Sequence, residues 1–470
     1  MNALRIAGLF AISLAITFCG SGDKSGSEEQ PEKPLFTLNI DTLAGKITPE
    51  IMLQNAQGQS YAIYLPPEYN GEKKFPVIYI FDPHARGVLP LKKYEPLAKD
   101  FGYILIASNN SKNGLPAEAT IQIGNSMINE TMQKFRIDDR QVYIMGFSGG
   151  ARVGGMITVN DRRISGLIGC GAGLPPFDHN ALPHFHYLGI VGNGDFNYLE
   201  MKNQDEVLEN ALLKNHLLVF DGGHNWPPPK VMFQTFAWLR LNAMKNKIIP
   251  ADEVFAGAVR DTFDKQLNEA LQNNNCLKAA RILQKADAFL SGIIKIRKFR
   301  NKLKQIQNTP EYKEQLTLSE QYKSREAIMQ QEYLENLNSK DIAWWKQEIA
   351  RMNGVIKSGE NIYNRLLHSR LLSFLGMMGY MTSSNAVNTN QLKIADKFLK
   401  IYALAAPENP DQNYLRACYY MKINQPESAL TELELAVKKG YTDREKLLNE
   451  PLFRNIAESH KFQEITEKIQ

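Results

Sequence analysis

Cysteine is scarce, with four in 470 residues. Cys170, Cys276 and Cys418 are scattered, with neither metal-ligand spacing nor a paired framework, and read as buried thiols. Long apolar runs are also missing. Beyond the amino terminus nothing reaches about 18 uninterrupted apolar residues, so no membrane-spanning helix is expected there; residues 371–381 come nearest and read as a buried helix. No basic block with interleaved aromatics occurs, and a formal charge of +5 is too dilute over this length to suggest a nucleic-acid partner. What is present, 43% hydrophobic and 22% charged residues, is the composition of a folded protein, at a length that implies two or three domains.

The fourth cysteine belongs to the amino terminus. Arg5 supplies a short positive region, residues 6–18 form an apolar run too short to span a membrane, and Cys19 follows directly. This pattern resembles a secretory signal ending in a lipobox, although Phe18 stands where such signals usually carry a small residue. Lipidation at Cys19 is therefore expected, with a simple cleaved secretory signal as the alternative. Residues 20–34 are rich in Gly, Ser, Glu and Lys, the composition of a solvated tether. The chain is expected to be exported and anchored to a membrane.

From about residue 47 the pattern changes. Residues 50–54 and 60–65 flank an Asn55-Ala56-Gln57-Gly58 turn and read as a β-hairpin. Near-continuous apolar runs of strand length follow at 76–81, 103–108, 142–145, 164–169, 187–191 and 216–220, with helical patterns at 91–100 and 117–135 between the first of them. Such runs alternating with helices predict a mostly parallel sheet buried on both faces.

One of these strands runs into Gly146-Phe147-Ser148-Gly149-Gly150. A serine between such glycines reads as a nucleophile elbow, where the strand-to-helix turn strains the serine backbone and the glycines let strand and helix cross closely. A serine hydroxyl needs a base and an orienting carboxylate to act as a nucleophile, and in a parallel sheet those groups sit in loops after strands. Asp195 in Gly192-Asn193-Gly194-Asp195 and His224 in Gly222-Gly223-His224 meet that condition. Asp178 and Asp221 are rival acids, less well placed. The stretch holding Asp178, His179, His184 and His186 lacks a further acid or cysteine at ligand spacing, so neither a metal nor a cofactor is expected.

The order Ser, Asp, His, each just after a strand, is that of the α/β-hydrolases. Residues 45–245 resemble that family, in particular the extracellular esterases similar to feruloyl and acetyl esterases and polyhydroxyalkanoate depolymerases. The resemblance rests on Gly146-Phe147-Ser148-Gly149-Gly150, Asp138-Asp139-Arg140-Gln141-Val142-Tyr143, Gly192-Asn193-Gly194-Asp195 and Gly223-His224-Asn225-Trp226-Pro227. It implies Ser148 as nucleophile, Asp195 as acid, His224 as general base, and the Gly149 N–H as first oxyanion donor. The second donor should come from Asp82-Pro83-His84-Ala85, where relatives often carry His-Gly. Pro83 has no N–H to give, so His84 or Ala85 must supply it; His84 has the alternative of lining the pocket with its ring. Phe147 and Trp226 are candidate pocket walls, Trp226 for stacking.

After residue 245 the pattern is helical. Phe255, Val259, Phe263 and Leu267 form one stripe, Leu277, Ala280 and Leu283 another after Asn273-Asn274-Asn275, and together they predict a helical hairpin. Residues 295–340 read as long solvated helices, with Trp344 and Trp345 packing. Ala417, Tyr420, Ala429, Leu433 and Ala436 have tetratricopeptide-like spacing, Ala395, Leu399 and Pro407 mark a partial preceding unit, and the tail from Gly440 through Leu452, Phe453 and Phe462 resembles a capping pair. The expected organisation is a signal at 1–19, a linker at 20–44, an α/β-hydrolase domain at 45–247 and an all-α, tetratricopeptide-like domain at 248–470. Two functions follow. The first is an exported serine esterase acting on a small-molecule or polysaccharide-linked ester, with a peptidase as variant. The second is an anchored scaffold of weakened chemistry whose helical half recruits a protein partner.

Overall fold

The apolar runs become eight strands: β1 (Ile47–Met52), β2 (Ser60–Tyr64), β3 (Phe75–Phe81), β4 (Ile104–Ser108), β5 (Ile137–Phe147), β6 (Gly166–Cys170), β7 (His186–Gly192) and β8 (Asn215–Phe220). They belong to a computed structural model that describes residues 43–175, 184–210, 215–359 and 361–469. Cys19, the signal and nearly all of the linker, with Asp178 and His179, lie outside the described residues. The strands form one sheet in the order β1-β2-β4-β3-β5-β6-β7-β8. The hairpin β1–β2 and the β2–β4 pair are antiparallel; every pair from β4 to β8 is parallel. The expected mostly parallel sheet is therefore present.

Strand periodicity sorts each run onto two cores. On β3, Ile78 and Ile80 enter one apolar cluster, while Val77, Tyr79 and Phe81 enter the cluster on the opposite face. Helices α1 (Val88–Phe101) and α5 (Pro229–Lys245) cover the first face, and α2 (Ala117–Lys134) and α3 (Gly149–Asn160) the second. Each large side chain so buried stabilises the fold by about 1.5–3 kcal/mol. β5 begins five residues before the expected Val142. Its polar lead-in can enter the sheet because Asp138 accepts hydrogen bonds from Arg140 and Gln141, and Ile137 pairs with Phe75.

The chain leaves β3 towards β4 and leaves β5 towards β6, so connections diverge between two adjacent strands. That divergence opens a crevice at their carboxyl ends. Register brings Phe81 beside Gly146, which sets residues 82–87 against the turn after β5.

Beyond α4 (Tyr198–Asn210) and α5 the chain is helical. The expected hairpin is α6 (Glu253–Gln272) and α7 (Cys276–Leu290), followed by α8 (Arg297–Gln307) and the long α9 (Pro310–Ser339). The apolar cluster on the first sheet face continues through Val259, Phe263, Leu283, Phe289 and Phe299. A second group, α10 (Ile342–Ser358), α11 (Ile362–Asn388) and α12 (Leu392–Ala405), packs around Trp345, Leu371 and Ile401. Then α13 (Pro410–Lys422) and α14 (Pro426–Lys438) bring Ala417, Ala429, Leu433 and Ala436 into one core with Phe453 and Phe462 of the tail, the tetratricopeptide-like arrangement expected. Among the described residues no helix is long and apolar enough to cross a membrane; Leu371 and Leu375 of α11 are buried against protein.

His216 on β8 packs against the Phe289 ring at 5.6 Å. The residue keeps some surface, but its Nε2 is sealed and has no hydrogen-bond partner among the described residues. Burial, with repulsion from Lys285 and Lys245, lowers its pKa from 6.5 to about 3. Between those values the unfolded chain binds a proton that the folded chain refuses. Stability should therefore fall with pH through that window, by up to about 1.4 kcal/mol per pH unit. His216→Phe should flatten the decline of Tm between about pH 6 and pH 4; an unchanged slope would exclude His216 as its source.

Candidate active site

Ser148 stands at the end of β5 with φ 51° and ψ −120°, a left-handed conformation costing about 1–3 kcal/mol that only its surroundings can enforce. Its N–H donates to the Cys170 carbonyl of β6 at 2.8 Å, and its own carbonyl accepts from Ala151 and Arg152. Strand and helix cross so closely that a Cβ on Gly146 would lie 2.3 Å from the Gly150 oxygen, and one on Gly150 would lie 2.1 Å from the Phe81 oxygen. No other residue type fits either position.

His224, in the loop after β8, places Nε2 2.9 Å from Ser148 Oγ. Its Nδ1 lies 2.9 Å from both carboxylate oxygens of Asp195, in the loop after β7. Asp195 is buried and also accepts from the Asn197 N–H at 2.8 Å. The two loops hold one another: Asn193 N–H donates to Phe220 O, Gly194 N–H to Gly222 O, and Asn193 Nδ2 to Asp221. Asp221 thus supports the acid loop and is not the carboxylate on His224. The imidazole lies between Phe147, 4.7 Å between centroids, and Phe196, 4.2 Å. His184 and His186 turn elsewhere, to the Asp161 carbonyl and to Asn246.

Strained serine, diverging strands and a histidine after the last strand decide the architecture. This is an α/β-hydrolase fold. No protein-family model matches the chain, and a search of curated proteins gives no significant match. Among solved structures, the chain is similar to a hyperthermophilic esterase from Pyrobaculum calidifontis (11% identity, 43% of this chain and 87% of that one, TM-score 0.34). It is also similar to S-formylglutathione hydrolase from Staphylococcus aureus (13%, 41% and 96%, TM-score 0.34). A feruloyl esterase module from Clostridium thermocellum gives 15% identity over 41% of this chain and 86% of that one, with a TM-score of 0.34. At such scores function has to be read from the site itself.

The loop after β3 departs from expectation. Asp82 is buried, and its carboxylate accepts from the His84 N–H at 2.9 Å and from Arg86 Nε and Nη2 at 3.0 and 3.1 Å. The Ala85 N–H donates to the Asp82 carbonyl. Neither amide expected to serve as second oxyanion donor is therefore free to turn towards Ser148. Burial works against the Asp82 charge, but Arg86, Trp226 and the His84 amide together outweigh it and hold the carboxyl below its ordinary range. The His84 residue is exposed; partial loss of hydration and the Arg86 charge lower its pKa, and Asp411 and Lys446 from the carboxyl-terminal helices also act on it.

Trp226 is not an open stacking wall either. It is 5% exposed, its Nε1 donates to Asp82 Oδ2 at 2.8 Å, and its ring packs on Tyr94 and Phe147. An indole N–H needs a partner once buried, and Asp82 supplies it. Phe147, 7% exposed, backs the His224 ring more than it borders open space.

Asn113 was not singled out from the sequence. The three atoms nearest the point where a Gly149 Cβ would stand all belong to its side-chain amide, Oδ1 closest at 1.8 Å and Nδ2 at 3.1 Å, and its backbone N–H donates to the Pro83 carbonyl at 2.9 Å. Phe196, next to Asp195, was legible only by adjacency.

Trp226→Phe keeps the ring and removes one hydrogen bond to a buried carboxylate. It should destabilise the protein by about 1.5–3 kcal/mol in urea unfolding; a cost near zero would mean that Arg86 and the His84 N–H satisfy Asp82 without the indole.

Proposed function

We propose that the protein is a serine ester hydrolase. The single observation that carries this reading is the unbroken hydrogen-bond chain from Asp195 through His224 to Ser148. Ser148 Oγ attacks the carbonyl carbon of a carboxylic ester while His224 Nε2 takes its proton; the acceptor position is set by Asp195 holding Nδ1–H. The tetrahedral intermediate collapses as His224 returns the proton to the departing alkoxide, leaving an acyl group on Ser148. Water, deprotonated by the same nitrogen, then attacks the acyl carbon, and the bond to Ser148 Oγ breaks as His224 returns the proton to that oxygen and the acid departs.

In this reading the developing oxyanion is met by the Gly149 N–H at the start of α3 and by Nδ2–H of the Asn113 amide beside it, once that amide turns Nδ2 in place of Oδ1 towards the site. With the His84 and Ala85 amides committed to Asp82, a side-chain donor replaces the usual backbone one. We further propose that the enzyme is exported and tethered through a lipid on Cys19, acting on acyl esters, carbohydrate-linked ones among them, at a membrane surface.

Ser148→Ala and His224→Ala should abolish labelling by a fluorophosphonate probe and lower kcat on short-chain aryl esters by about 10⁶, and Asp195→Asn by about 10⁴. Wild-type protein that neither labels nor turns over any ester would end this reading. Asn113→Ala should cost about 10²–10³ in kcat with KM little changed; unchanged kcat would remove Asn113 from the oxyanion site. For the anchor, Cys19→Ser should shift the protein from the membrane to the soluble fraction on cell fractionation, and retention at the membrane would refute lipidation there.

A further inference from the structure

α11 contains one arginine inside an apolar run, Leu366-Leu367-His368-Ser369-Arg370-Leu371-Leu372. The Arg370 side chain is 7% exposed and that of its partner, Glu326 on α9, 1%. Arg370 Nε lies 2.9 Å from each Glu326 oxygen. A buried pair of this kind is a poor device for stability alone, since well-packed apolar residues often serve as well. What distinguishes it is the third contact. Arg370 Nη1 donates to the carbonyl of Asn193 at 2.8 Å, two residues before Asp195, and the guanidinium lies over the Tyr198 ring at 4.5 Å.

The same loop meets the helices at two further points. A Cβ on Gly194 would stand 3.2 Å from Ser369 Oγ, so α11 runs hard against the backbone. Phe196, which faces the His224 ring, also packs against the apolar cluster of α10, α11 and α12. Residues 193–198 are thus held between the helices on one side and the histidine on the other. A planar guanidinium with a fixed fork of donors suits this task, because Glu326 fixes its plane and the remaining N–H then points in one direction.

We propose that Arg370 is a positioning residue for the hydrolase site: from the helical region it fixes the Asn193 carbonyl, and through it the Asp195 carboxylate that orients His224. This rests on the reading of Asp195, His224 and Ser148 as the reacting triad. Arg370 touches no substrate. Its loss should let the acid loop drift, and a misplacement of about 1 Å costs on the order of 10²-fold in turnover.

The test replaces both charges, Arg370→Leu with Glu326→Leu, so that no lone charge is left buried, beside Arg370→Lys, which keeps the ion pair but loses the fork. With folding verified by near-UV circular dichroism, the double variant should lose about 10–100-fold in kcat with KM nearly unchanged, and Arg370→Lys should recover part of it. Combined with Asp195→Asn, the same double replacement should cost less than about 2-fold more, because both changes act on one group. Full kcat in the folded double variant, or a loss that multiplies undiminished with that of Asp195→Asn, overturns the proposal. Proton NMR of the low-field His224 Nδ1–H signal reads the same coupling without any substrate: the signal should shift or broaden in the double variant. If wild type hydrolyses nothing, the function fails on its own, and an unchanged signal would then dispose of Arg370 separately.

Discussion

Everything at this site depends on how closely α3 crosses the sheet behind Ser148. The Gly150 backbone lies against the Phe81 carbonyl with no space for a side chain, and that contact forces Ser148 into a left-handed conformation with its hydroxyl clear of the strand. The strain is local, about 1–3 kcal/mol. It is held by two buried apolar clusters whose many large side chains each contribute about as much. A serine in a relaxed turn would lie lower and out of reach of His224.

Around that fixed point the site is assembled from loops that have no regular structure of their own. Those after β7 and β8 are cross-linked through Asn193, Gly194 and Gly222, so the acid and base loops brace one another. The loop after β3 is tied instead to the base loop, through Asp82 and Trp226. The buried Asp82 holds the His84 amide with its carboxylate and the Ala85 amide with its backbone carbonyl. In this protein that loop is a strut for the Trp226 side of the site, and the side chain that stands beside Gly149 is Asn113.

Much of this was legible in the sequence because it follows from periodicity and spacing. Continuous apolar runs gave the parallel sheet, and Ser148, Asp195 and His224 could be assigned by position after strands. The polar lead-in of β5 was missed because its pattern is not that of a strand; Asp138 makes it one by satisfying Arg140 and Gln141. His84 and Trp226 were misjudged for a single reason. A sequence shows that an amide or an indole exists, not which carboxylate has already claimed it. Arg370 carried a signal, a charge followed by an apolar run in α11, but its partner is 44 residues away and its target 177, separations that no local pattern links.

The apolar cluster beneath the sheet does not end with α5. It passes through Phe263, Leu283 and Phe289 and only then gives way to the charged helices. For anyone wishing to shorten the protein, the change from strands to helices after residue 245 is therefore a misleading seam. A cut there would divide the cluster that the sheet and α5 share with the hairpin and leave its apolar side chains in water, a surface prone to adhere to other unfinished chains. The helices of the hairpin share the apolar cluster on that face of the sheet, and any workable dissection has to keep them.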